Sequence, residues 1–236
     1  MLAIDTCDSR GSVAVLRDEA ILCVVVHSSN EDHSTWLLPA VSEALRSSGL
    51  GMEDVGAYAV AAGPGSFTGV RVGLTTVKAW AEVYGRPIVA LSRLRTLAGE
   101  VSDGAPFVAA FADGQRKQVF GAVYRRNEAG LAHIGEEMVI APGKFIETAV
   151  ELAGDGRIAW VSTDAECLLS EEGWKRRESR GEKIAWVSSV LAPMIGRMGL
   201  AELAAGRITD ALKLDANYVR RTDAEASWKD GAAHGG

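Results

Sequence analysis

The string most suggestive of chemistry in this chain is Gly63-Pro64-Gly65-Ser66-Phe67-Thr68-Gly69-Val70-Arg71-Val72-Gly73. Glycines at this density allow positive φ and close backbone approach, and a helix opening there would add unpaired N–H groups suited to an anion. The spacing matches neither G-x-x-x-x-G-K-[ST] nor G-x-G-x-x-G, because Thr68 stands where the second pattern needs glycine. Two readings stay open: a phosphate- or RNA-contacting turn through Gly63, Gly65 and Thr68, and a tight structural turn. The second candidate is Asp5-Thr6-Cys7-Asp8-Ser9, where a carboxylate ends an apolar run and a hydroxyl follows at Ser9. Such a pair could hold phosphate and magnesium, and Asp113-Gly114 offers a matching carboxylate in the second half. Cys7 and Asp8 fill the turn where a phosphate loop needs glycine, so Asp5 as a turn-capping residue is the alternative.

The remaining reactive side chains are scattered. His27, His33, His133 and His234 form no ligand-spaced set. His27 reads as a surface residue and His33 as the opening of a helix. Cys7, Cys23 and Cys167 are odd in number and far apart, which argues for a reducing compartment and against a disulfide framework or zinc site. No Ser, His and Asp grouping announces a nucleophile, and no cysteine has an evident activating base.

The elements that must position these residues follow from periodicity. Residues 2–6, 12–17 and 20–27 read as three antiparallel strands, and 33–48 as a helix closed by Gly49. Ala57 to Ala62 is a continuous apolar run, as in a buried parallel strand. A helix follows to Tyr84, stopped by Gly85-Arg86-Pro87, and then a strand at 88–91. The pattern restarts after Pro106 with strands at 107–112, 117–124 and 131–140, a weak helix at 144–152, a strand at 157–161 and a helix at 188–205. The expected fold is therefore α/β: two tandem RNase H-like subdomains in the actin-like arrangement, the second one shortened. The boundaries are 1–104 and 105–228, with a flexible tail at 229–236. A nucleotide cleft between the halves, with Asp5 and Asp113 facing each other, is conceivable on this layout.

Composition narrows the function classes. The chain has 236 residues, 47% hydrophobic and 24% charged, with a formal net charge of -6 spread over both halves. It carries no basic stripe of the kind a self-sufficient nucleic-acid binder shows. The cluster Lys175-Arg176-Arg177 with Arg180 and Lys183 is interleaved with glutamates and reads as a solvated loop; Arg220-Arg221 is ambiguous. No apolar run reaches membrane-spanning length and no leader-like segment opens the chain, so a cytoplasmic protein without membrane contact is expected. Helix 70–84 is apolar on two sides: Val70, Leu74, Val77 and Ala81 on one, Gly73, Thr76, Trp80 and Val83 on the other. Helix 33–48 offers Trp36 and Ala40 outside its core stripe. These faces either pack together or meet a partner chain.

The strings Leu2-Ala3-Ile4-Asp5-Thr6, Trp36-Leu37-Leu38-Pro39, Gly63 to Leu74 and Arg86 to Ser92, together with Tyr218-Val219-Arg220, resemble the TsaB family. TsaB is the dimerisation subunit of the bacterial machinery that makes threonylcarbamoyladenosine in tRNA. The resemblance is clear over roughly residues 1–125 and weaker beyond. It implies a non-catalytic relative of the transferase TsaD that dimerises with it through helices 33–48 and 70–84, or with a second copy when alone. TsaE, a small P-loop ATPase, would join the complex, tRNA would be met only through it, and ATP and metal would sit on partner subunits, so no cofactor is expected here. The interface residues implied are Trp36, Ala40, Gly73, Thr76 and Trp80. TsaD holds its metal through an H-x-x-x-H pair, whose places fall here on Arg93 and Leu97, neither of which can be a ligand. Departures from the family include Gly114-Gln115 after Asp113 and His33-Ser34-Thr35-Trp36 at the first helix. The competing class is an enzyme: an actin-like or sugar-kinase-like ATPase, or a peptidase of the type once attached to this superfamily.

Overall fold

The computed structural model describes residues 1–27, 31–128, 130–217 and 219. The first sheet is built from β1 (Leu2–Asp5), β2 (Ser12–Arg17), β3 (Ala20–Val26), β4 (Tyr58–Ala61) and β5 (Ile88–Leu91), in the order β3-β2-β1-β4-β5. The first three form an antiparallel meander, and β4 and β5 extend it in parallel from β1. Helices α1 (His33–Ser47) and α2 (Phe67–Tyr84) lie on one face of this sheet. Every residue of β4 is buried, as its unbroken apolar run requires of a strand covered on both faces. Gly49, at φ 68, ends α1 with the Leu50 N–H returning to the Leu45 carbonyl, and Gly85, at φ 61, ends α2.

The second sheet repeats the plan with β6 (Phe107–Asp113), β7 (Val119–Asn127), β8 (Gly130–Ile140), β9 (Ile158–Ser162) and β10 (Ile184–Trp186), in the order β10-β9-β6-β7-β8. Strand directions match the first sheet pair for pair. Both sheets thus have the RNase H-like order, and the architecture is the tandem one expected. The second sheet is complete, its fifth strand only three residues long. What is shortened is helical: α5 (Glu166–Leu169) and α6 (Glu172–Glu178) stand where the first half has the single long α2. The basic cluster Lys175-Arg176-Arg177 is therefore helical, a correction to its reading as a loop. Glu172 pairs with Lys175 one turn on, and Arg177 pairs with Glu182 over the Trp160 ring.

Two helices are exchanged between the halves. α3 (Arg93–Gly99), which follows β5, packs on β6, β7 and β8 of the second sheet. α7 (Ala192–Ala204) crosses back over β1, β2, β4 and β5 of the first. The outer face of the second sheet is covered by α4 (Pro142–Ala153). The layers run α1/α2, sheet, α3/α7, sheet, α4. Strand β6 shows the consequence of its period of two: Val108, Ala110 and Ala112 point to the shared central core, while Ala109 and Phe111 join a separate cluster around Phe145, Trp160 and Trp174. The halves are also tied by Glu202 of α7, which pairs with Arg95 of α3 and with Arg207. After α7 the chain runs back along β5, where Thr209 pairs with Ile88, and reaches Asn217, whose N–H donates to the Ala62 carbonyl. Tyr218, Arg220-Arg221, His234 and the tail at 229–236 lie outside the described residues.

Candidate functional site

The ends of β1, β4, β6 and β9 open into one cleft of about 830 Å³ between the two halves. Its lining includes Asp8, Ser9, Gly65, Ser66, Thr68, Arg93, Asp113, Arg116, Asp164 and Asn217. Each half contributes an aspartate at the end of its first strand. The Asp5 Oδ1 accepts the Cys7 N–H at 2.9 Å, and the Asp113 Oδ1 accepts the Gln115 N–H at 2.8 Å, so the two turns are built alike. Beyond that they differ. Asp113 is exposed in the cleft, whereas Asp5 is fully buried and does not line it.

Asp5 is paired there with the buried Arg93. The first residue of α3, it is fixed by its N–H donating to the Gly63 carbonyl at 2.7 Å, and α3 is capped by the Ser92 hydroxyl, which accepts the Arg95 N–H. Its side chain reaches back to β1, where Nε meets the Asp5 Oδ2 at 3.3 Å and Nη2 the Asp8 Oδ2 at 2.7 Å. Burial opposes the Arg93 charge, but Asp5 and Asp8 more than offset it and raise the pKa above the ordinary arginine value. Burial would likewise raise the Asp8 carboxyl, yet Arg93 and the Ser9 N–H hold it below the usual carboxylate range. Burial, with Asp5 beside it, pushes the Cys7 thiol well up, so this sulfur is a poor nucleophile.

The glycine-rich string packs closely against the end of β1 and also lines the cleft. Gly65 just ahead of α2, and Gly69 and Gly73 on one edge of it, recur every four residues and lie against the end of β1. A Cβ on Gly65 would fall on the Cys7 carbonyl, one on Gly69 on the Thr6 carbonyl, and one on Gly73 at 2.5 Å from the Thr6 Oγ1. That hydroxyl donates to the Gly69 carbonyl at 2.7 Å, closing the seam. Gly63 has φ 101 before a cis Pro64. The Ser66 hydroxyl caps α2 by accepting the Gly69 N–H. Of the residues expected to contact phosphate, Ser9, Gly65, Thr68 and Asp113 reach the cleft, while Asp5 and Gly63 lie behind it.

Other placements depart from expectation. His27 is 6% exposed, not a surface residue. Its Nδ1 meets the Ser9 carbonyl at 2.9 Å, the His33 Nε2 meets the Asp8 carbonyl at 2.7 Å, and the two rings pack against each other and Trp36. Together they hold the β1–β2 turn from behind. Trp36 and Ala40 belong to the core stripe of α1, at 8% and 3% exposure, rather than lying outside it. Gly73 is likewise buried, against Thr6 and Val60, because the free face of α2 is rotated away from it. Thr76 and Trp80 are half-buried, Trp80 against Tyr58. The outward face of α2 instead carries Val72, Thr75, Thr76, Ala79 and Val83, a stripe without charge, and exposed Leu38 stands on neighbouring α1.

Sequence reasoning had Arg93 only as a failed metal ligand and did not anticipate its pairing with Asp5 and Asp8. The pair joins residues 88 positions apart, and no local pattern signals it. Asp164 and Asn217 were also missed. Among the described residues no cluster of three or more His, Cys, Asp or Glu is placed to hold a metal ion, and no helix is long and apolar enough to cross a membrane.

The chain matches a family model described as TsaD, tRNA N6-adenosine threonylcarbamoyltransferase, over residues 21–176. It is 34% identical over 170 residues to the tRNA threonylcarbamoyladenosine biosynthesis protein TsaB of Escherichia coli, covering 69% of each chain. It is 30% identical over 151 residues to the protein of the same name from Bacillus subtilis, covering 64% of this chain and 66% of that one. Among solved structures, YeaZ from Pseudomonas aeruginosa superposes with a TM-score of 0.71 at 27% identity, covering 92% of this chain and 98% of that one. With the tandem fold and the glycine seam of α2 in place, these likenesses establish that the chain belongs to the TsaB family.

Proposed function

We propose that this chain is a non-catalytic scaffold subunit in the synthesis of N6-threonylcarbamoyladenosine in tRNA, pairing with the transferase TsaD and stabilising it. The observation that carries the reading is the uncharged outward stripe of α2, with Val83 74% exposed and Leu38 of α1 56% exposed. A helix that has already buried one apolar edge against its own sheet and still presents a second is suited to a helix-on-helix interface. The interface residues are Thr76 and Trp80 from the earlier expectation, joined by Leu38, Val72, Ala79 and Val83. In the absence of the transferase the same face would pair two copies of this chain. TsaE and tRNA would be met through the assembled complex, with ATP and metal on the partner subunits.

The non-catalytic part is supported by the cleft. Arg93 and Leu97 bring no ligand atoms to the positions where TsaD has its histidine pair. The ATPase and sugar-kinase readings need an accessible carboxylate at the end of β1, and Asp5 is sealed. The peptidase reading needs an activated nucleophile, and burial disables the Cys7 thiol. The test is reconstitution: transfer of labelled threonylcarbamoyl to tRNA by TsaD and TsaE, with and without this chain. Activity should depend on the chain, survive Asp113→Asn and fail with Val83→Glu. Loss of activity in Asp113→Asn, with the complex still assembled, would make the cleft catalytic.

A further inference from the structure

The Asp5, Asp8 and Arg93 cluster sets two carboxylates against one buried guanidinium. Each carboxylate commits one oxygen to its own turn: the Asp5 Oδ1 accepts the Cys7 N–H at 2.9 Å, and the Asp8 Oδ1 accepts the Ser9 N–H at 2.6 Å. That leaves the two Oδ2 atoms to meet neighbouring nitrogens of one guanidinium, the Asp5 Oδ2 at Nε and the Asp8 Oδ2 at Nη2. The Arg93 side chain that carries that guanidinium is 4% exposed. Two carboxylates turned together would repel one another, and one of them sits with no exposure at all. A positive charge between two carboxylates so arranged offsets that repulsion. Hard oxygen donors of this kind are also what a divalent cation takes.

We propose that Arg93 is an internal replacement for a divalent cation: it neutralises the paired carboxylates, and in doing so keeps metal ions, and ligands that arrive with one, out of the β1 end of the cleft. This deepens the non-catalytic reading of the cleft and rests on it. Arg93 thereby acts as a specificity determinant, since it decides which ligand chemistry the cleft rejects. The cleft beyond it is lined by the carboxylates of Asp8, Asp113 and Asp164 and by the guanidinium of Arg116.

The experiment uses the full chain alone and Mn2+ as the probe, with binding followed by loss of the free-ion electron paramagnetic resonance signal and by thermal unfolding. The wild-type protein should bind no Mn2+ at this place, and its Tm should not respond to the ion. Arg93→Ser should bind one Mn2+ per chain at an ion concentration at which wild type leaves the free-ion signal unchanged, and Mn2+ should raise its Tm. Adding Asp8→Asn to that variant should abolish both effects. Arg93→Lys, which keeps a positive charge, should behave as wild type. If Arg93→Ser does not fold unaided, refolding in Mn2+ should recover it. Wild-type binding that Asp8→Asn removes would overturn the proposal. So would a folded Arg93→Ser that ignores Mn2+, or an unfolded one that Mn2+ does not recover. No transferase is needed, so failure of the scaffold reading and failure of this proposal are read in separate tubes.

Discussion

Gly69→Ala separates a packing seam from a ligand-binding loop. In a helix interior, alanine for glycine normally adds about 0.5–1 kcal/mol of stability. Here the new methyl would lie on the Thr6 carbonyl oxygen, with the carbonyl carbon at 3.2 Å and the His33 ring at 3.3 Å. The colliding oxygen is backbone at the end of a central strand, so it cannot swing aside and α2 must lift off β1. Overpacking of this kind costs about 1–3 kcal/mol, and lifting the helix would also break the bond from the Thr6 Oγ1 to the Gly69 carbonyl, worth about 1 kcal/mol. Less the propensity gain, the net loss is roughly 1–3 kcal/mol, or about 2–12 °C in Tm for a chain of this size. Gly99→Ala is the matched control: its methyl would meet only the Met198 sulfur at 3.2 Å and that of Met194 at 3.5 Å, both at the ends of flexible chains. Thermal unfolding by circular dichroism should place Gly69→Ala well below wild type and Gly99→Ala within about a degree or two of it. A Gly69→Ala protein as stable as wild type would refute the seam and return the glycine string to the ligand-loop reading.

Further expectations follow from single contacts. The depressed Asp8 carboxyl contributes stability that is full above the unfolded value near 3.9 and is lost as pH falls through the lower folded one. Between pH 5.5 and 3, wild type should therefore lose more Tm than Asp8→Asn, a difference that differential scanning fluorimetry would read. Glu137 gathers the Ser92 hydroxyl, the Tyr124 hydroxyl at 3.2 Å and the Asn217 amide at 2.6 Å, tying both halves to the returning chain. Glu137→Ala should cost about 1–3 kcal/mol and speed hydrogen exchange of the Asn217 N–H. Gly121→Ala, whose methyl would strike the Phe145 ring, should destabilise the second half by a comparable amount, seen as an early unfolding phase in Trp160 and Trp174 fluorescence.

The periodic elements were legible in the sequence because their periods are set by which faces are buried. The meander, α1, β4, α2 and β5 read directly, since each alternates or repeats over enough residues to average out exceptions. The elements that did not read are short or depend on distant partners. α3 has seven residues, and its apolar side meets strands that come later in the chain. β10 is three residues and exists only because β9 offers it an edge. In the cleft, the twin aspartates at 5 and 113 were visible as strand ends. Arg93 closing over Asp5 was not, because nothing near position 93 signals a carboxylate 88 residues upstream. Assigning Trp36, Ala40 and Gly73 to a free face failed for a related reason: helical periodicity gives two apolar edges but not which of them the sheet takes. Trp36 turned inward because His27 and His33 supply the wall it packs against.

The central claim is that the outward face of α2 is where the transferase binds, and light scattering coupled to size-exclusion chromatography tests it most directly. This chain should form a one-to-one complex with its cognate TsaD. Val83→Glu, at a position 74% exposed within the chain, should keep its Tm and lose the complex. Trp80→Glu should lose it too, at some cost in stability through Tyr58. A complex that survives both charges, or a chain that ignores TsaD altogether, would contradict the account.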